Sequence, residues 1–419
     1  MNLSSESQEL MNRLINHYDF SKDKKTPIEQ KQLDNTLHIF HNDLMMADKW
    51  SSAKKTISKV KKNIKMYKNG DTLPSWMTNE SKYFPEHIRN YILDHYKGFV
   101  FYIFEIGNKK VYIHFTILKD EDLNEDLFEK YVKKMMLWLK IAYKYAPPNC
   151  SNELSVYCFL THFKKKIPNN VFEVISEKHC NSAFTSSCQP ETEIAIYRKE
   201  EFLKVFIHET FHALGLDFSN MPLRDIHSKI HDLFPIKSDF NIYESYSEFW
   251  ASYIHSIICA YHLNKDRKDK EQFCLYADFC LRFEEIFSLL QMVKILDFMG
   301  LTYNNLMDSD GISITSRKYL FKEETNVFAY YILKNILLYH HIDFIDWCNQ
   351  NNDQLICFKK NSTNLNHFLN FIKNKHRSKK FVNDIEIIFG LLKSMKGKST
   401  SPRHNVLTKT MRMTLCELN

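Results

Sequence analysis

Glycine supplies only 8 of the 419 residues and proline only 10. So few turn-formers exclude a collagen-like or Pro-rich chain and count against an all-β fold built on many tight turns. No run of about 18 apolar residues occurs, so no membrane span and no membrane partner is expected. The first twenty residues, MNLSSESQELMNRLINHYDF, lack an apolar stretch of signal-peptide length. No two of the ten cysteines form a C-x-x-C pair, which removes the zinc-knuckle and dithiol redox motifs. A chain this long folds without disulfide staples, so the expected setting is a reducing cytosol with the cysteines mostly as buried thiols. Arginine is scarce too, at 10 against 47 lysines. The net charge of +7 is mild for this length and argues against a dedicated nucleic-acid partner.

What remains is the composition of a folded chain, 44% apolar and 26% charged, long enough for two or three domains. Residues 1–95 read as polar helices and loops, broken at Pro74 and Pro85. Lysines crowd the stretch from Lys54 to Lys68 and again from Lys393 to Arg403; both read as solvated faces. At Phe99 the texture changes. Two β-rich runs, Phe99–Ile106 and Lys109–Leu118, flank Gly107-Asn108, a hairpin signal. Helical spacing follows through Leu127, Tyr131, Met135, Leu139 and Ala142. Leu154–Leu160, Val171–Ile175 and Glu193–Tyr197 read as strands, and Glu200–Leu214 and Asn241–Tyr261 as helices. From about residue 270 the chain reads as all helical, with a loose tail from Lys396.

One motif carries chemistry. Residues 208–212 read His-Glu-Thr-Phe-His. Residues four apart share a face of a helix, so His208 and His212 can ligate one metal ion, with Glu209 beside them as a base for its water. The match sits inside the apolar-periodic helix and directly after the Glu193–Tyr197 strand. The plain alternative is a helix with two ordinary histidines and a surface glutamate. A zinc hydrolase needs a third protein ligand. The metzincin position, ten residues after His208, holds Phe218, and Asp217 is one residue out of step. Asp217 in another geometry remains an alternative metal ligand. Glu244 and Glu248 are a further source, four apart on a helix that is apolar nearly all round. Two carboxylates on a buried helix are costly unless paired or metal-bound. Tyr243, Tyr246, His255, His231 and Tyr330 are candidate donors to an oxyanion.

His208, Glu209 and His212, followed by Glu244-Ser-Tyr-Ser-Glu248, resemble the gluzincin branch of the zincin metallopeptidases. The wording of the stretch from Glu193 to Ser219 also resembles zinc peptidases encoded by large DNA viruses. The resemblance covers roughly residues 95–262. It implies Zn2+ held by His208, His212 and Glu244, with Glu248 as the partner that orients a ligating histidine. It also implies a zincin-type twisted mixed sheet, whose rim strand, Asn181–Thr185 or Glu193–Tyr197, pairs with an extended peptide.

The expectation is therefore an α+β chain in which residues 96–262 form a zincin-like catalytic domain. Helical regions at 1–95 and 263–395 flank it, and a flexible tail runs over 396–419. The expected function is zinc-dependent hydrolysis of peptide bonds through a metal-activated water, with Glu209 as general base and a peptide or protein as substrate. The expected place is the cytoplasm, a host's or a virion's included. Two other classes stay open: a catalytically inactive zinc-bound structural or host-interaction protein, and a helical nucleic-acid binder using the two basic runs.

Overall fold

The computed structural model describes residues 3–20, 25–66, 82–119, 123–397 and 405–418. These fold as mixed helix and sheet in two compact units. One unit comprises Asn42–Lys165 and Asn181–Ser219 and holds the sheet; the other comprises Met1–His41, Lys166–Cys180 and Asn220–Asn419 and is helical. Of the stretch 96–262, residues 96–165 and 181–219 fall in the first unit and 166–180 and 220–262 in the second. Pro74 and residues 398–404 lie outside the described residues.

The sheet has six strands in the order β1-β2-β3-β4-β6-β5. They span Lys61–Met66, Tyr96–Ile106, Lys109–Leu118, Glu153–Thr161, Ala183–Thr185 and Glu191–Arg198 in chain order. β2 and β3 form the hairpin that Gly107-Asn108 signals, and Gly107 has φ of 64°, a region that favours glycine. β3, β4 and β6 run parallel, and β5 returns antiparallel along β6 as the last strand on that side. Alternation sends Val100, Tyr102, Phe104, Val111, Ile113 and Phe115 to one buried face. The helix Glu125–Tyr145 lies there, with Phe128 stacked 4.5 Å from Phe115. On the other face the helix Glu86–His95 seats Ile88 and Ile92 on Phe159, Ala195 and Tyr197. Each of these isoleucines is fully buried, worth about 1.5–3 kcal/mol apiece.

Three local expectations need correction. The basic run was read as a solvated part of a helical region, yet Lys61–Met66 is a strand on the sheet margin with all six residues exposed. A run of KKNIKM has little apolar alternation, and its pairing with β2 comes from tertiary context. Val171–Ile175 is no strand: Val171 and Phe172 are exposed, and Ile175 alone makes an isolated bridge, to Glu323. An apolar run that short does not discriminate a strand by periodicity. Most of the cysteines are buried thiols, as expected, but a disulfide is present where none was expected. Cys150 and Cys188 form a disulfide, their Cα atoms 4.7 Å apart, while the other eight are free. The sheet register explains the pairing. Glu153 of β4 lies beside Glu191 of β6 in a parallel pair, so the residues three positions upstream of each arrive at the same end of the sheet.

In the helical unit, Tyr243–Leu263 is wrapped by neighbours. Tyr246 sits among Phe344, Phe358 and Phe368, and Trp250 sits against Phe40 and Phe249. The tail is not loose where it is described. Lys294, on the helix Lys270–Phe298, donates to the carbonyls of Leu407 and Thr410, and Glu284 accepts from Thr414 Oγ1 and Leu415 N. Met411, Leu415 and Cys416 are fully buried. Their apolar spacing is too short to outweigh the Ser- and Lys-rich texture that precedes them. No helix among the described residues is long and apolar enough to cross a membrane.

Candidate metal centre

The helix that carries the motif runs Phe202–Ala213, and every residue in it is buried. It starts just after Glu201, whose φ of 60° is left-handed, and Glu201 is fully buried in an ion pair with the equally buried Lys165. From the helix Glu125–Tyr145, Trp138 Nε1 donates to Thr210 Oγ1 at 2.7 Å, and Thr210 Oγ1 donates to Ile207 O at 2.6 Å. Trp138 also stacks on Phe211. These contacts fix the rotation of the helix and hence the face on which His208 and His212 stand.

The end of the helix is held as firmly. Gly215, with φ of 63°, donates its N–H to His212 O at 3.0 Å, and Cys188 N donates to the same oxygen at 3.0 Å. Ser151 Oγ donates to Ala213 O at 2.8 Å. A Cβ on Gly215 would stand 2.9 Å from Cys150 Sγ and 3.2 Å from Cys188 Sγ. Gly215, a residue type favoured just past a helix end, is thus required both by its backbone conformation and by the disulfide packed on it.

His208 Nε2 and His212 Nε2 lie 3.1 Å apart. The other nitrogen of His212, Nδ1, donates to Asp217 Oδ2, so the lone pair is left on Nε2. Asp217 is fully buried, and its second oxygen accepts from Ser219 N at 3.1 Å and Ser219 Oγ at 2.8 Å. The hydroxyls of Ser187 and Ser219 are 3.0 Å apart, extending this chain to the residue before Cys188. Asp217 was an alternative metal ligand on sequence; here it orients His212 instead, with both oxygens engaged. Its five-residue offset from His212 lies outside helical spacing, so only the turn after Gly215 brings the two together.

Glu244 stands in the first turn of Tyr243–Leu263 and Glu248 one turn later; both are buried, as is His255 further along the same stripe. One ligating atom from each of His208, His212 and Glu244 falls within 4.8 Å of the others. Two imidazole nitrogens and a carboxylate oxygen are a donor set suited to Zn2+. Tetrahedral ligands at about 2.0–2.1 Å from a zinc ion stand roughly 3.3 Å apart, close to the spacing of the two histidine nitrogens. The residues fit the ion. Of the two acids left open by the sequence, Glu244 and not Glu248 joins this group.

The oxyanion candidates divide. Tyr246 is a core residue: its hydroxyl donates to Ile356 O at 3.2 Å and accepts from Asn352 Nδ2 at 2.8 Å. Its burial pushes the phenol well up. His231 is half-buried against Phe240. Tyr243 is half-buried next to Glu244, His255 lies 3.8 Å from Cys259 Sγ, and Tyr330 is buried in a π-helical turn, Phe328–Leu333. Sequence reasoning did not single out Trp138, Thr210 or Ser219 as supports of the site. A threonine inside the motif was the one available sign.

No protein-family model, curated protein or solved structure matches this chain.

Proposed function

We propose that the chain is a zinc-dependent peptidase of zincin type. The observation that carries this reading is the convergence of His208, His212 and Glu244 on one point, with Glu209 next in sequence to the first of them. A buried set of two imidazoles and one carboxylate is a donor set that suits a divalent cation. Bound zinc supplies a Lewis acid that lowers the pKa of a water and polarises a carbonyl.

The residues of the chain do the rest. Asp217 keeps the proton on Nδ1 of His212, so that Nε2 stays a donor to the ion. Glu209 accepts a proton from the attacking water on its carboxylate and returns it to the amine nitrogen that leaves. Glu248, buried one turn beyond Glu244, has the part of orienting a ligating histidine only from the resemblance; at His212 it is Asp217 that takes that part. β5 is the margin strand of the sheet and the better substrate rim, because Glu193–Tyr197 lies inside β6 with neighbours on both sides. Main-chain hydrogen bonds from Ala183–Thr185 hold an extended peptide, with side-chain pockets adding selectivity. Zn2+ as the ion, a peptide or protein as substrate and a cytoplasmic location complete the reading.

The test is cleavage of a mixed peptide library followed by mass spectrometry. Cleavage is expected with zinc, is expected to vanish on chelation and is expected to return when zinc is restored. Cleavage that survives complete removal of metal contradicts the proposal.

A further inference from the structure

The basic run that begins at Lys54 takes no part in the metal centre, yet it has a definite place in the sheet unit. It forms the short helix Lys54–Ile57 and the margin strand β1. β1 pairs with β2 only from Gly98 to Ile103, while β2 runs on to Ile106. Phe104, Glu105 and Ile106 pair with β3 on one side and have no β1 residue opposite them on the other. A cleft of about 1040 Å3 opens there, with Ile103, Phe104 and Glu105 in its wall. Lys55, Lys59, Lys61 and Lys110 also line it, against the single acid Glu105. Lys110 is paired with Glu153, but Lys55, Lys59 and Lys61 are exposed and make no ion pair among the described residues.

Lysines on a margin strand often serve to keep other chains from pairing with it. Here they surround an uncovered length of strand edge beside a cleft roomy enough for an extended chain. We propose that this cleft binds an acidic, extended peptide segment. The segment continues the line of β1, pairing its main chain with Phe104–Ile106 of β2, and its carboxylates meet Lys55, Lys59 and Lys61. Main-chain bonds supply the docking and the lysines the selectivity. A single-stranded nucleic acid fits less well. It has no amides for a strand edge, and the cleft's one tryptophan, Trp50, already holds Lys140 over its ring at 5.3 Å.

The experiment is fluorescence anisotropy of a labelled peptide of alternating Glu and Val on the full chain, at low ionic strength. Chelator is present, so metal-dependent cleavage plays no part and the outcome is separate from that of the peptidase reading. Saturable binding is expected. The triple variant Lys55→Glu, Lys59→Glu, Lys61→Glu is expected to weaken it about tenfold or more, as several surface charge contacts together would. The milder Lys55→Gln, Lys59→Gln, Lys61→Gln variant is expected to fall between. The same peptide with alternate amides N-methylated is expected to bind at least about tenfold more weakly, having lost its strand pairing. Wild-type affinity in both triple variants, equal binding of the N-methylated peptide, or tighter binding of an oligothymidine would each overturn the proposal.

Discussion

Glu209→Gln is expected to lower peptide turnover by about 10^2–10^4-fold, the usual range for loss of a positioned general base. Zinc content is expected to stay at the wild-type value, because Glu209 is not one of the converging ligands. Glutamine keeps the size of the side chain and its hydrogen-bonding reach, so the fully buried helix Phe202–Ala213 is not emptied at that position. What disappears is the ability to take a proton from water and return it to the departing amine. Parallel assays of cleavage and bound zinc separate the two roles. Turnover near wild type in a zinc-loaded Glu209→Gln protein would remove Glu209 from the chemistry.

Asp217→Ala is expected to weaken zinc binding about 10–100-fold, the range seen when the partner of a ligating histidine is lost. It also strands the buried Nδ1 of His212 and the N–H of Ser219, costing on the order of 1–3 kcal/mol of stability. Asp217→Asn is expected to be milder, since an amide oxygen still accepts from Nδ1. Competition against a chelator of known affinity measures the first effect, and urea unfolding of the metal-free protein the second. Were Asp217 a direct ligand, both variants would lose zinc outright rather than in this graded order.

Part of the candidate site is legible in the sequence. His208 and His212 four apart in an apolar-periodic stretch leave little freedom: the helix that buries Val205 and Phe206 must present both rings on one face. A helix too apolar to expose a carboxylate marks Glu244 and Glu248 alike, and only the resemblance chose Glu244 between them. The hairpin at Gly107 and the strand Glu153–Thr161 were legible because local turn chemistry and an unbroken apolar run agree.

What was not legible depends on contacts distant in sequence. Cys150 and Cys188 are joined because β4 and β6 pair in parallel with Glu153 beside Glu191, a register no spacing rule contains. Asp217 reaches His212 only through the turn at Gly215, against which that disulfide packs. β1 is a strand because β2 offers it an edge, and its own residues have weak strand preference. Residues 410–416 are buried, and Lys294 and Glu284, more than a hundred positions earlier, satisfy backbone groups of this segment and Thr414.

The central claim is that His208, His212 and Glu244 together hold one zinc ion. Elemental analysis of purified protein, wild type beside Glu244→Ala and Glu248→Ala, tests it most directly. The account predicts one zinc per chain in wild type, its loss in Glu244→Ala and its retention in Glu248→Ala. No zinc in wild type after zinc is supplied, or an undiminished zinc content in Glu244→Ala, would contradict it.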